Sequence, residues 1–243
     1  MSPPVFLAGT AALERDRVVL DGPEGRHAAT VRRLRPGERV DLTDGAGLLA
    51  ECVVTAADRA SLTLEVAARH REPPPEPRLV VVQALPKGDR GELAVETMTE
   101  AGVDEIVPWA AARCVTQWRP ERREKALARW RNAAREAGKQ ARRSRLPHVP
   151  ALASTADVAR RLADASAALV LHEGAAEPLS GVRPPASGEV VLVVGPEGGI
   201  SEDEVAAFGA AGGRPVRLGP TVLRTSTAGV AAAAVLQAAT GRW

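Results

Sequence analysis

The chain has no tyrosine, two phenylalanines and four tryptophans, so aromatics make up 2% of its 243 residues. With so few ring faces, ring stacking on side chains must be a minor term in whatever this chain binds. Two cysteines, Cys52 and Cys114, are too few for a disulfide framework and have no metal-ligand spacing. They read as buried thiols in a reducing compartment. No apolar run reaches the roughly 18 residues that cross a bilayer. The start, MSPPVFLAGTAALERDR, has no basic n-region, which predicts no signal peptide. A cytoplasmic protein with no membrane partner is expected.

Three familiar site motifs are also missing. GAGLLA (45–50) fits G-x-G-x-x-A, but strand-like ECVVT follows where a dinucleotide site needs a helix, so it reads as a hairpin turn. His172-Glu173 begins an H-E-x-x-H, yet residue 176 is alanine, and no metal site can be assembled there. GPEGG (195–199) is not followed by the G-K-[ST] of a phosphate-binding loop.

What is present is an ordinary soluble composition, 45% hydrophobic and 26% charged, with an uneven charge. The total is +2, but Arg113 to Arg145 holds twelve Lys/Arg against three Asp/Glu, a local +9 that leaves −7 elsewhere. A smaller block, GRHAATVRRLRPGER (25–39), has five arginines against one glutamate. Basic blocks on a near-neutral chain point to a polyanion touching defined places, or to solvated helix faces.

REPPPEPR (71–78) places four prolines in eight residues and reads as a stiff linker. Before it, RVVL, ERVDLTD, LLAECVVT and SLTLEVA alternate between turns, which predicts a small β-rich domain over residues 1–72. One helix is expected around EGRHAATVRRL. After residues 73–77, strand and helix patterns alternate to residue 243, which predicts a parallel α/β sheet. The long basic helix is expected to turn Leu127, Trp130 and Ala134 inward.

Ligands on such sheets sit at the carboxyl ends of strands, and VVLVVGPEGGISEDE (190–204) is such an end. Its glycines allow close approach to the backbone. Glu197 stands within the turn, and Glu202, Asp203 and Glu204 crowd the helix start, with Ser201 and Glu204 forming a capping box. Those acids would repel a phosphate, so a cationic or neutral ligand fits better. A second strand end, VRLGPTVLRTSTAGVAAAA (216–234), carries Arg224 just before a capped alanine-rich helix, and LVLHEG (169–174) is a third.

GPEGG with S-x-x-E, then LGPTVLRTSTA, resembles the C-terminal signature of the 16S ribosomal RNA (uracil-N3)-methyltransferase family of the SPOUT superfamily. HAATVRRLRPGERVDLTDG (27–45), ALPKGDRGELAVETMTEAGVDEIVP (84–108) and Glu136, Ala137, Gln140 and Arg143 of REAGKQARRSRLPHV (135–149) resemble further family segments in the same order. The resemblance implies an N-terminal PUA-like β-barrel and a C-terminal SPOUT α/β domain with a deep trefoil knot. It implies S-adenosylmethionine as cofactor, a homodimer, and one uridine of 16S rRNA in the small ribosomal subunit as target. It assigns to the cofactor Leu171, His172 and Glu173; Gly195, Pro196, Glu197, Gly198, Gly199 and Ile200; and Leu218, Gly219, Val222, Leu223 and Arg224. Uracil N3 must lose a proton as it attacks, so the site wants a base and a group that holds the anion. Arg224 and Glu197 are the catalytic candidates, Arg224 to hold the anion, with Glu173 or water as the other acceptors open for the proton. Arg32, Arg33, Arg35, Lys87, Arg113, Arg142, Arg143 and Arg145 are the expected phosphate contacts.

Two departures stand out. Many members read L-R-T-E-T-A where this chain has Ser226 in place of the glutamate, and many begin with an arginine before Phe-Phe where this chain has PPVF. A ribose 2′-O-methyltransferase and a non-catalytic ribosome-assembly factor remain the alternatives.

Overall fold

A computed structural model describes residues 2–243. The chain divides into two compact units, Met1–Pro74 with Gly138–Leu146, and Pro75–Ala137 with Pro147–Trp243.

The first unit is a curled five-stranded mixed sheet. Its strands are β1 (Val5–Leu7), β2 (Arg17–Leu20), β3 (Arg39–Thr43), β4 (Leu48–Ala57) and β5 (Leu62–Arg71), in the order β1-β3-β4-β5-β2. Only β1 and β3 pair in parallel. Alternation with period 2 explains its core, since Leu48, Ala50, Cys52 and Val54 of β4 point inward with Leu62 and Leu64 of β5. Two short helices, α1 (Thr10–Leu13) and α2 (Gly22–Arg26), close the sheet, and α2 runs into a π-helical turn at His27–Val31. The helix expected there is thus present but wound unevenly. Burial pushes the Cys52 thiol up to about 11, so it stays protonated and inert.

The segment Gly138–Leu146 belongs to this unit through specific bonds. Lys139 Nζ sits 2.9 Å from Glu24 Oε1, with both side chains largely buried, and 5.9 Å from the centre of the Phe6 ring. Gly47 N–H donates to Ser144 O at 3.0 Å and Leu146 N–H to Gly45 O at 2.9 Å. The sequence reading leaves this segment with the second domain, because nothing local to it announces partners a hundred residues upstream.

The second unit is a parallel sheet in the order β10-β8-β9-β6-β7. Its strands are β6 (Arg78–Ala84), β7 (Glu105–Trp109), β8 (Ala167–Leu171), β9 (Glu189–Val194) and β10 (Arg214–Val216). The helices are α3 (Arg90–Glu100), α4 (Pro120–Gln140), α5 (Thr155–Asp164), α6 (Glu202–Ala210) and α7 (Thr225–Ala239). Strands covered on both faces read as continuous apolar runs, which is why β6, β7 and β9 are buried almost throughout. Leu127, Trp130 and Ala134 of α4 are buried as their spacing predicts. α7 lies close on α3 because Gly229 has no side chain: a Cβ there would stand 2.7 Å from Met98 Sδ.

At the amino ends of the strands, Glu105 is clamped by Arg161 and Arg78, and both arginines also reach Glu189. Burial alone would raise the Glu105 pKa, but the Arg161 hydrogen bond and the charges of Arg161, Arg78 and His148 outweigh it and hold it low. The opposite ends of the strands are left for loops.

Candidate functional site

β9 runs buried to Val194 and ends at Gly195. A Cβ at Gly195 would stand 2.8 Å from Ile200 Cγ1, so only glycine lets the turn fold back on itself. Gly199 N–H donates to Pro196 O at 2.9 Å, and Gly199 has φ +72°, a left-handed value that favours glycine. Gly198 packs on Arg113: a Cβ there would meet Arg113 Cβ at 3.2 Å, and Arg113 Nη1 donates to Gly198 O at 3.3 Å.

The helix start beyond the turn has the expected Ser201–Glu204 capping box. Glu204 is buried, and its carboxylate accepts from Ser201 N–H (3.0 Å), Ser201 Oγ (2.9 Å), Ala112 N–H (2.7 Å) and Thr155 Oγ1 (3.1 Å). It ties α6, α5 and the loop after β7 together. Burial raises its pKa, but these donors outweigh burial and lower it. Glu202 and Asp203 are exposed and do not line the cavity described next. The acidic surroundings expected of the turn therefore reduce to Glu197 and Glu173.

Three strand ends and Arg113 enclose a cavity of about 590 Å³. β8 contributes Leu171, His172 and Glu173, and the β9 turn contributes Gly195 to Ile200. The loop after β10 contributes Arg217 to Arg224. Every residue the sequence assigns to the cofactor lines this one cavity. Parallel β8, β9 and β10 place their carboxyl ends on the same edge, so residues far apart in sequence meet. Val194, Thr225 and Ala228 line it too, without a chemical signature by which the sequence could single them out.

The two catalytic candidates are held differently. Arg224 is the N-cap residue of α7, with its carbonyl accepting from Thr227 and Ala228 N–H at 2.9 Å each. Its side chain is exposed at the cavity and, among the described residues, has no carboxylate partner. Glu197 Oε1 accepts from Lys87 N–H at 3.0 Å, which links the turn to the loop after β6. Ser226 is 3% exposed and does not line the cavity, although Thr225 beside it does. Thr225 O in turn accepts from Gln83 Nε2, at 3.3 Å.

The phosphate-contact candidates fall into two groups. Lys87 and Arg113 lie in the second unit, and Arg113 lines the cavity. Arg32, Arg33, Arg35, Arg142, Arg143 and Arg145 all lie in the first unit. Arg32, Arg33, Arg35 and Arg142 are exposed. Arg145 is engaged: Nη2 donates to Glu72 O at 2.6 Å and Nε to Pro73 O at 3.0 Å. Its guanidinium fastens the end of β5 to the Gly138–Leu146 segment.

Comparison with known proteins agrees with this architecture. Residues 73–237 match a family described as RNA methyltransferase domain, and residues 20–67 one described as RNA methyltransferase PUA domain. The ribosomal RNA small subunit methyltransferase E of Mycobacterium bovis is 51% identical, over 93% of this chain and 87% of its own. The protein of that name from Bacillus subtilis is 29% identical, over 86% and 85%. Among solved structures, the ribosomal RNA small subunit methyltransferase E of Neisseria gonorrhoeae bound to S-adenosyl methionine superposes with a TM-score of 0.84 at 28% identity, covering 98% of both chains. A methyltransferase of Legionella pneumophila in complex with the same cofactor gives 0.87 at 27%, again over 98% of each. The parallel sheet, the PUA-type first unit and these whole-length matches establish that the chain belongs to the ribosomal RNA small subunit methyltransferase E family.

Proposed function

We propose that this chain transfers a methyl group from S-adenosylmethionine to N3 of a uridine of 16S rRNA in the small ribosomal subunit. The observation that carries this reading is the single cavity formed by all three strand-end loops. Its volume lies within the range of about 300–1,000 Å³ typical of small-molecule sites. The cofactor fits the lining: a glycine turn presents bare backbone, and Glu173 and Glu197 bring negative charge for a cation.

When bound, S-adenosylmethionine supplies an activated methyl group. The turn Gly195–Ile200 and the loop Leu218–Arg224 hold and orient it, and orientation supplies much of the rate in a transfer of this kind. In this reading Glu197 accepts the N3 proton, and its bond from Lys87 N–H, which holds it at the cavity wall, supports the role. Arg224 holds the negative charge that spreads to uracil O2 and O4 as N3 gives up its proton. The same reading makes the protein a cytoplasmic homodimer with the site near the subunit contact. The cavity loop supports this, since Val222 is 78% and Leu223 39% exposed.

The test is transfer of labelled methyl to small subunits that lack the modification, followed by digestion and mass analysis. Label on uracil N3 supports the reading. Label on ribose would transfer it to the 2′-O class, and none from a folded protein that binds the subunit would reduce it to an assembly factor.

Ser226 sits outside the cavity, so Ser226→Ala is expected to leave the transfer rate within about twofold of wild type. A tenfold loss in that assay would return the proton step to this position.

RNA affinity should fall steeply with salt. The four exposed first-unit arginines, Arg32, Arg33, Arg35 and Arg142, give a slope near −2.8 on single strands, or about a 50-fold loss between 50 and 200 mM salt. Arg145→Ala should leave that slope unchanged and instead lower the melting temperature of the first unit. A slope near zero in filter binding would reject the basic-patch assignment.

A further inference from the structure

A second cavity, of about 460 Å³, opens in the second unit between the loop after β6, the loop after β7 and the first half of α4. Two tryptophans form its apolar part. Trp118 is half-buried, Trp130 is 3% exposed, and their rings meet edge to face at 5.2 Å and 87°. Gly91 lets α3 pack directly on Trp130, since a Cβ there would come within 2.6 Å of Trp130 Nε1.

The polar part is cationic. Arg129 is tied to Glu92 at 2.9 Å and lies 3.7 Å from Asp89. Arg122 and Lys125 are exposed on the same rim and have no carboxylate partner among the described residues. The cavity therefore offers a ring and two available cations. A purely anionic ligand has no use for the rings, and an apolar one has none for the cations. A nucleotide uses both.

This cavity also shares structure with the first. Lys87 N–H donates to Glu197 of the glycine turn at 3.0 Å, and Thr116 Oγ1 donates to Pro86 O at 2.7 Å. The loops that wall one cavity thus brace the other.

We propose that the second cavity takes an unpaired nucleotide flanking the target uridine, its base on Trp118 and its phosphate between Arg122 and Lys125. The proposal rests on the RNA methyltransferase reading above. An enzyme acting on a base must draw it out of its stack, which leaves a neighbour without a stacking partner. An aromatic ring replaces that partner whatever the base. One ring suffices, which agrees with a chain so poor in aromatics.

The test uses the full-length chain and single-stranded pentauridylate, titrated against tryptophan fluorescence. Wild type should show quenching. Trp118→Leu should bind about tenfold more weakly, the size of one lost base–aromatic stack, and lose the quenching. Trp118→Phe should keep affinity within about threefold. The double variant Arg122→Ala, Lys125→Ala should reduce the salt slope by about 1.4, which is two phosphate contacts on a single strand. Wild-type affinity in Trp118→Leu, or quenching that persists in it, overturns the proposal. If that variant melts below wild type, the phenylalanine and double variants decide by the same criteria. Equilibrium dialysis with S-adenosylmethionine accompanies each protein. Failure of wild type to bind cofactor and methylate subunits strikes the function itself, whereas success there with an unaltered Trp118→Leu strikes only this subsite.

Discussion

Arg224→Ala is expected to slow methyl transfer about 100-fold to 1,000-fold at saturating cofactor, the usual cost of removing one preorganised group that stabilises a developing anion. Its backbone is fixed as the N-cap of α7, while its guanidinium stands at the cavity with no carboxylate partner among the described residues. It therefore meets the uracil anion with its charge unspent. The positive end of α7 lies behind it and acts in the same direction. Arg113, another arginine of the cavity lining, already donates to Gly198 O. Arg224→Lys should recover part of the rate, because a point charge replaces a fork that could reach O2 or O4. Single-turnover transfer to small subunits, with cofactor binding measured separately, checks both. A rate within threefold of wild type in the alanine variant would remove Arg224 from the chemistry.

Glu204→Ala is expected to cost about 3 kcal/mol, combining a helix cap worth about 1 kcal/mol with charged hydrogen bonds worth about 1.5–3 kcal/mol. Its carboxylate joins α6 to α5 and to the loop carrying Arg113. In the second unit this should lower the melting temperature by about 6–12 °C. The pH dependence follows from the lowered pKa of Glu204. A carboxylate depressed on folding contributes its stability above the unfolded value, near 4.3, and loses it as pH falls through the folded value. Glu105 is depressed in the same direction. The melting-temperature gap between wild type and Glu204→Gln should accordingly be full at pH 7 and close progressively below about pH 4.5. A gap that is constant from pH 7 to pH 3 would mean the carboxylate's charge contributes nothing.

Much of this molecule is legible in its sequence, and for a physical reason. Buried parallel strands are unbroken apolar runs, and the glycines that end them are demanded by backbone geometry, as at Gly195 and Gly199. A parallel sheet then brings every such strand end to one edge, so locating the ends of β8, β9 and β10 locates the cavity. The illegible part is what depends on direction and distance. Glu202, Asp203 and Glu204 look alike in sequence, but only Glu204 turns inward and finds four donors. Ser226 and Thr225 are neighbours on α7, and only one faces the cavity. Trp118 and Trp130 have no motif that announces a shared pocket, since their meeting depends on how a loop lies on a helix. Arg145 reads as one more basic residue until its carbonyl partners, 72 residues upstream, are seen.

The Gly138–Leu146 segment has a consequence for how the protein is made. Residues through Pro74 leave the ribosome first, yet the unit they form includes residues up to Leu146. At about 5–20 residues per second, those last residues are joined some 4 to 14 s later. During that interval the nascent first unit has no Lys139 to meet Glu24 and no Ser144 carbonyl to receive Gly47 N–H. A gene cut at the proline seam would freeze that interval permanently, leaving a PUA-type fragment with an open flank. Supplying residues 138–146 as a separate peptide, or grafting them after Pro74, would be the way to close it.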